Sequence, residues 1–195
     1  MDPEEDVIEK AVTVIREGGV VAHPTDTCYG FAVDAFNEEA IKKLYELKKM
    51  DLVKPVSVIV SDETIIEEVV DINDKARELM DEYFPGALTV IMKKNDGCPA
   101  FLNPSNETLG VRIPDCKVSM ALCDLFDGFL TSTSANITTM PQAYSIDDIV
   151  GQFEDEELQP DLILDGGLIE EKAPSTVVDV SEGGIKVVRQ GEIKL

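Results

Sequence analysis

The chain has 195 residues, 44% hydrophobic and 29% charged, with a formal net charge of −22 and a pI near 4.2. That length suits one sizeable core, and the acidity argues against broad nucleic-acid binding, which needs a basic surface to release counterions. No apolar run is long enough for a membrane span. The acidic start, Met1-Asp2-Pro3-Glu4-Glu5-Asp6, lacks the pattern of a secretory leader, so a cytoplasmic protein is expected.

Ile8, Ala11, Val12 and Ile15 recur at helical spacing over residues 4–17, and Gly18-Gly19 closes the pattern. A strand over 20–23 then runs into Pro24-Thr25-Asp26-Thr27-Cys28-Tyr29-Gly30. Hydroxyls, a carboxylate and free backbone N–H groups thus gather at a strand end, where α/β sheets place small ligands; a polar turn is the plainer alternative. Asn37 is placed to cap a second helix reaching residue 49. Residues 55–60 read as a strand, two acidic helical stretches cover 63–70 and 74–83, and Phe84-Pro85-Gly86 ends the second. Strands are expected at 87–92 and 109–113, with a short helix at 118–126. A strand from Phe129 leads into Ser132-Thr133-Ser134-Ala135-Asn136. A helix at 146–153 precedes short strands at 162–164, 176–180, 185–188 and 192–194. Strands mixed with helices predict an α/β fold, a single domain over 1–195 with a twisted mixed β-sheet and flanking helices.

Four polar clusters share one design, an apolar strand that delivers small hydroxyls or a cation to its end. They are Thr25/Asp26/Thr27, Thr108 with Arg112, Ser132/Ser134/Asn136, and Ser175/Thr176 with Arg189; Lys48, Lys49 and Lys54 add a basic stretch. In a chain with four arginines, Arg112 and Arg189 fall on expected strands and are candidates for bidentate anion binding. A surface ion pair explains such arginines equally well. His23 is the only histidine and lies on an expected buried strand, where a structural role is the ordinary one. No Ser-His-Asp or Cys-His nucleophile can therefore be assembled, and no glycine-rich phosphate loop is present. Cys28, Cys98, Cys116 and Cys123 lack metal-site spacing; free, mostly buried thiols and no protein-bound metal are expected. The chemistry open to this set is the positioning and electrostatic stabilisation of anions, with no covalent catalytic residue.

The blocks Pro24 to Gly30, Leu47-Lys48 with Lys54-Pro55, Phe84-Pro85-Gly86-Ala87-Leu88-Thr89 and Val111-Arg112-Ile113-Pro114 resemble those of YrdC-domain proteins. So do Ser132 to Asn136, Pro174-Ser175-Thr176-Val177-Val178-Asp179 and Arg189-x-Gly191. These proteins are the L-threonylcarbamoyladenylate synthases of tRNA modification, and the blocks follow in the family's order along nearly the whole chain. The resemblance implies conversion of L-threonine, bicarbonate and ATP to threonylcarbamoyl-AMP and pyrophosphate. A partner threonylcarbamoyl-transferase complex would then modify an adenosine of tRNA. By motif position, Thr27, Arg112, Ser132 and Ser175 would hold threonine, while Lys48, Lys54, Thr108, Ser134, Asn136 and Arg189 would line the ATP side. Mg²⁺ would arrive with ATP. A non-catalytic module binding double-stranded RNA is the alternative, although the acidity leaves room only for weak RNA contact. Two departures stand out. Met50 replaces the family's Arg after Lys48-Lys49, and Ile137-Thr138-Thr139-Met140-Pro141 lacks the usual Ser-Gly. A thioether cannot donate to phosphate, so Met50 implies reduced activity unless Lys49 or Lys54 supplies the charge.

Overall fold

Each element forms where an apolar stripe and a stop signal coincide. The computed structural model describes residues 4–195; Met1 to Pro3, part of the acidic start, lie outside the described residues. Helix α1 (Glu5–Arg16) buries Ile8, Ala11, Val12 and Ile15, the four residues its spacing picked out. Gly18 (φ +83°) and Gly19 end it, and a Cβ on Gly19 would sit 2.5 Å from Val14 Cγ1. Strands β1 (Val21–Pro24) and β2 (Tyr29–Ala32) form a hairpin. Helix α2 (Glu38–Leu47) is capped by Asn37, whose Oδ1 accepts from the backbone N–H groups of Glu39 and Ala40. Then come β3 (Ser57–Ile59), β4 (Val70–Asp71), α3 (Asp74–Tyr83, capped by Asn73), β5 (Leu88–Lys94) and β6 (Thr108–Arg112). The remainder is α4 (Lys117–Phe126), β7 (Leu130–Ser134), α5 (Ile146–Phe153, with a Ser145/Asp148 capping box), β8 (Leu162–Ile163), β9 (Thr176–Asp179) and β10 (Lys186–Arg189).

The strands join in one mixed sheet of order β10-β9-β5-β6-β3-β7-β2-β1-β8, with β4 also on β5. Pairs β1/β8, β3/β6 and β5/β9 are parallel; the others are antiparallel. Both faces carry apolar clusters. One holds Phe31, Leu44, Val58, Val90, Val111 and Phe153. The other packs α1 and α4 onto Val21, Ala32, Ile59 and Leu130. No helix among the described residues is long and apolar enough to cross a membrane.

Two expectations fail. Residues 63–70 do not form an α-helix: Glu63–Glu68 is a 3₁₀ helix that gives way to β4. Residues 192–194 form no strand; the Ile193 carbonyl instead accepts from Thr176 Oγ1 and Gln190 Nε2, both at 2.6 Å. Strand β2, in addition, forms where no element was expected.

Candidate active site

On the face covered by α1 and α4, side chains change character along each strand. Two residues beyond Val21 on β1 stands His23, and two before Ala32 on β2 stands Gly30. On β3, Ser57 stands two before Ile59, and on β7, Ser132 and Ser134 follow Leu130. With a strand period of two, these residues share a face. The apolar half therefore packs under α1 and α4, and the polar half floors an open cavity of about 330 Å³. Gly110 on β6 leaves room for Ser57, because a Cβ there would come within 2.5 Å of Ser57 Oγ.

Thr27, Arg112, Ser132, Ser134, Ser175 and Arg189 all line the cavity. Arg112 is 5% exposed. Its Nη2 donates to both carboxylate oxygens of Asp26, and its Nε donates to the Gly86 carbonyl at 2.9 Å. Arg189 donates from Nε and Nη2 to the Ser175 carbonyl at 3.0 and 2.8 Å, and from Nη2 to Ser175 Oγ at 2.9 Å. Ser175 Oγ also lies 3.2 Å from Thr89 Oγ1. Bidentate capture of an anion is thus corrected for both arginines: protein acceptors occupy the Nε/Nη2 edge, leaving Nη1 for a ligand. Burial, and then repulsion from Arg112, lower the pKa of Arg189. Two guanidinium groups close enough to repel each other make a ready site for an anion.

The other four expected nucleotide residues lie outside the cavity lining. The Lys48 ammonium donates to the Ser134 carbonyl and, at 2.8 Å, to the Asn136 carbonyl, and sits 5.6 Å from the Phe31 ring centroid. Burial lowers its pKa to about 8. Asn136 is buried, accepting from Ser134 Oγ and donating to the Ile137 and Met140 carbonyls at 2.9 and 2.8 Å. Both residues build the wall behind Ser134. Thr108 stands opposite Lys93 at the start of β6, and Lys54 is exposed beside Pro55, which does line the cavity. Met50 packs against the core, and Lys49 Nζ is paired with Glu156 at 2.7 Å.

Three turns around the site have physical reasons. Tyr29 Oη donates to the Gly167 carbonyl at 2.8 Å and accepts from the Gly166 N–H at 2.9 Å, tying residues 165–167 against Pro24. Gly191 approaches so closely that its Cβ would fall 2.0 Å from the Pro174 carbonyl oxygen. Thr139 has φ +77°, a conformation costly for a β-branched residue. Thr139→Gly should raise unfolding stability by about 1 kcal/mol, read as a higher denaturant midpoint at unchanged slope.

Sequence reasoning did not foresee the roles of three residues. Asp26 holds Arg112. Asn103 (φ +53°) pairs both side-chain amide groups with the Val56 backbone, at 2.9 and 2.8 Å, and so fixes the segment carrying Pro55 and Ser57. His23 lines the cavity while being 2% exposed. Of the cysteines, all free, Cys28 and Cys123 are buried and Cys98 and Cys116 only partly so. Burial pushes the Cys28 thiol up, which keeps it protonated and a poor nucleophile.

Burial also lowers the His23 pKa from its ordinary 6.5 to about 4, against a smaller opposing effect of the Pro24 carbonyl. The unfolded chain therefore takes up this proton first as pH falls. About 3 kcal/mol of stability is lost between pH 6.5 and 4 through this residue. His23→Phe should flatten that part of the profile when urea unfolding is compared at neutral and mildly acidic pH.

The family model Sua5/YciO/YrdC, described as "Telomere recombination", matches residues 13–191. A Methanocaldococcus jannaschii protein called putative threonylcarbamoyl-AMP synthase is 34% identical over 97% of this chain and 87% of its own length. The threonylcarbamoyl-AMP synthase of Mus musculus is 33% identical over 95% of this chain and 67% of its own. Among solved structures, P. abyssi Sua5 complexed with L-threonine superposes with TM-score 0.91 at 29% identity, covering 98% of this chain. The match takes in 56% of that protein, so this chain spans about half its length. E. coli YciO superposes with TM-score 0.86 at 26% identity, covering 97% and 91% of the two chains.

Proposed function

We propose, from the premise that the chain belongs to the Sua5/YciO/YrdC family, that it is a threonylcarbamoyl-AMP synthase. In this reaction the threonine amine and bicarbonate form a carbamate with loss of water. A carbamate oxygen then attacks the α-phosphorus of ATP, its bond to the bridging oxygen breaks, and pyrophosphate leaves. The substrates meet as three anions, so the protein's task is to hold them together against their repulsion.

One observation carries the reading. Inside a chain of net charge −22, two guanidinium groups with Nη1 unspent face a single cavity floored by Ser, Thr and Gly. Arg112 receives the threonine carboxylate, with Thr27, Ser132 and Ser175 supplying neutral hydrogen bonds. Arg189 and Ser134 take the phosphate side, and Lys48 and Asn136 act indirectly by holding the Ser134 wall. Fixed donors aimed at the pentacovalent phosphorus need no reorganisation during the step. Mg²⁺ would come with the triphosphate and neutralise part of its charge. The product would pass to a transferase complex that acts on tRNA. Pyrophosphate release measured with threonine and bicarbonate omitted in turn tests this reading: release should need both, and release indifferent to threonine would reject it.

A further inference from the structure

Toward the β10 edge of the sheet the cavity floor changes character. Thr89 on β5, Val177 on β9 and Arg189 on β10 pair in one row, and Ile91 stands two residues beyond Thr89 on the same face. Val178 and Val180 alternate with Val177 and are buried in the opposite core, whereas Val177 and Ile91 are only half-buried. Simple alternation along β10 would turn Val188 away from the face that Arg189 occupies. The register against β9 slips between Val187 and Arg189, however, and Val188 lines the cavity beside Arg189. An irregularity of this kind re-aims a side chain. Ile91, Val177 and Val188 thus form an aliphatic shelf over three strands, with the Arg189 guanidinium at its side.

The rest of the cavity offers no comparable surface. Phe31, Val56 and Ile59 also line it but are at most 3% exposed. Pro55, Pro114 and Pro174 each stand singly beside a strand end. Val188, by contrast, is 55% exposed. Threonine brings one methyl group, bicarbonate none, and a triphosphate only charge. The purine is the one substrate group with a broad apolar face that gains by leaving water for aliphatic carbon.

We propose that the shelf of Ile91, Val177 and Val188 seats the purine base of ATP, and that the re-aimed Val188 sets a preference for purine over pyrimidine nucleotides. This rests on the ATP-dependent reading above and adds a base-binding surface to it. The phosphates then run from Arg189 on β10 toward Ser134 on β7, and that path crosses β6, which carries Arg112. The α-phosphorus is thereby brought next to the carbamate of a threonine held on Arg112.

The test is pyrophosphate release at saturating bicarbonate, with threonine and nucleotide varied in turn, for the wild-type protein, Val188→Ser and Ile185→Ser. Ile185 is 49% exposed just ahead of β10 but does not line the cavity, so it controls for effects on the sheet edge. Val188→Ser should raise the KM for ATP by roughly fivefold, with kcat and the KM for threonine within about twofold; Ile185→Ser should behave as wild type. CTP keeps an exocyclic amino group and the same phosphates on a smaller ring. The wild-type protein should prefer ATP over CTP by roughly tenfold in kcat/KM, and Val188→Ser should narrow that preference to about threefold. An unchanged KM for ATP in Val188→Ser, a rise shared by Ile185→Ser, or a rise in the KM for threonine instead would overturn the inference. So would a wild-type protein that uses CTP as readily as ATP. Absence of pyrophosphate release from ATP in the wild-type protein would instead reject the synthase reading itself.

Discussion

Arg112→Ala is expected to lower kcat/KM for threonine by roughly a thousandfold while changing the KM for ATP far less. The guanidinium is buried on β6 with Nη2 on Asp26 and Nε on the Gly86 carbonyl. Its remaining donors, on Nη1, are left to meet a carboxylate in the cavity that Arg112 lines. The same substitution leaves Asp26, whose side chain is 15% exposed, without its cation, and so should cost stability of about 3 kcal/mol. The two effects separate by experiment. Asp26→Asn removes the pairing charge but keeps Arg112, so it should destabilise with a smaller loss on threonine. Steady-state kinetics in each substrate, alongside urea unfolding of both variants, measures the split.

Arg189→Ala should act on the nucleotide, lowering kcat/KM for ATP by roughly a hundredfold with little change in the KM for threonine. Here the expected stability cost is small, because Arg189 stands on an exposed edge strand and its partners are the Ser175 carbonyl and hydroxyl. Loss of the side chain also frees Ser175 Oγ, which keeps its neighbour Thr89 Oγ1 at 3.2 Å. Removal of one guanidinium relieves its repulsion with Arg112. Catalysis should therefore fall without an accompanying fall in melting temperature. Wild-type kinetics for both nucleotide and amino acid in this variant would place the phosphates elsewhere.

Helices were legible because each carries its own signals. The stripe of α1, the Asn37 cap of α2 and the full extent of α3 follow from local spacing and capping. Strand β2 was hidden because its first two residues, Tyr29 and Gly30, close a motif whose Thr and Asp read as turn. Its partner β7 lies about a hundred residues away, and pairing over that distance leaves no mark on the local pattern. The same holds at Glu63–Glu68, where β4 is drawn onto β5 and cuts a helical pattern short. Within the site, residue type indicated which side chains could bind an anion, and six of the ten expected residues do line the cavity. Type could not indicate which donors the protein spends on itself. Lys48 looks like a phosphate ligand until its ammonium is found on carbonyls 86 and 88 residues away. Asp26 reads as one polar group of a strand-end cluster until Arg112 reaches it.

The most direct measurement uses ¹³C-bicarbonate with threonine and ATP, following carbon and phosphorus resonances together. A new carbamoyl carbon coupled through oxygen to an AMP phosphorus, appearing in step with pyrophosphate, is the predicted result. Formation of ADP and inorganic phosphate, or a labelled carbon with no bond through oxygen to the α-phosphate, would contradict the account.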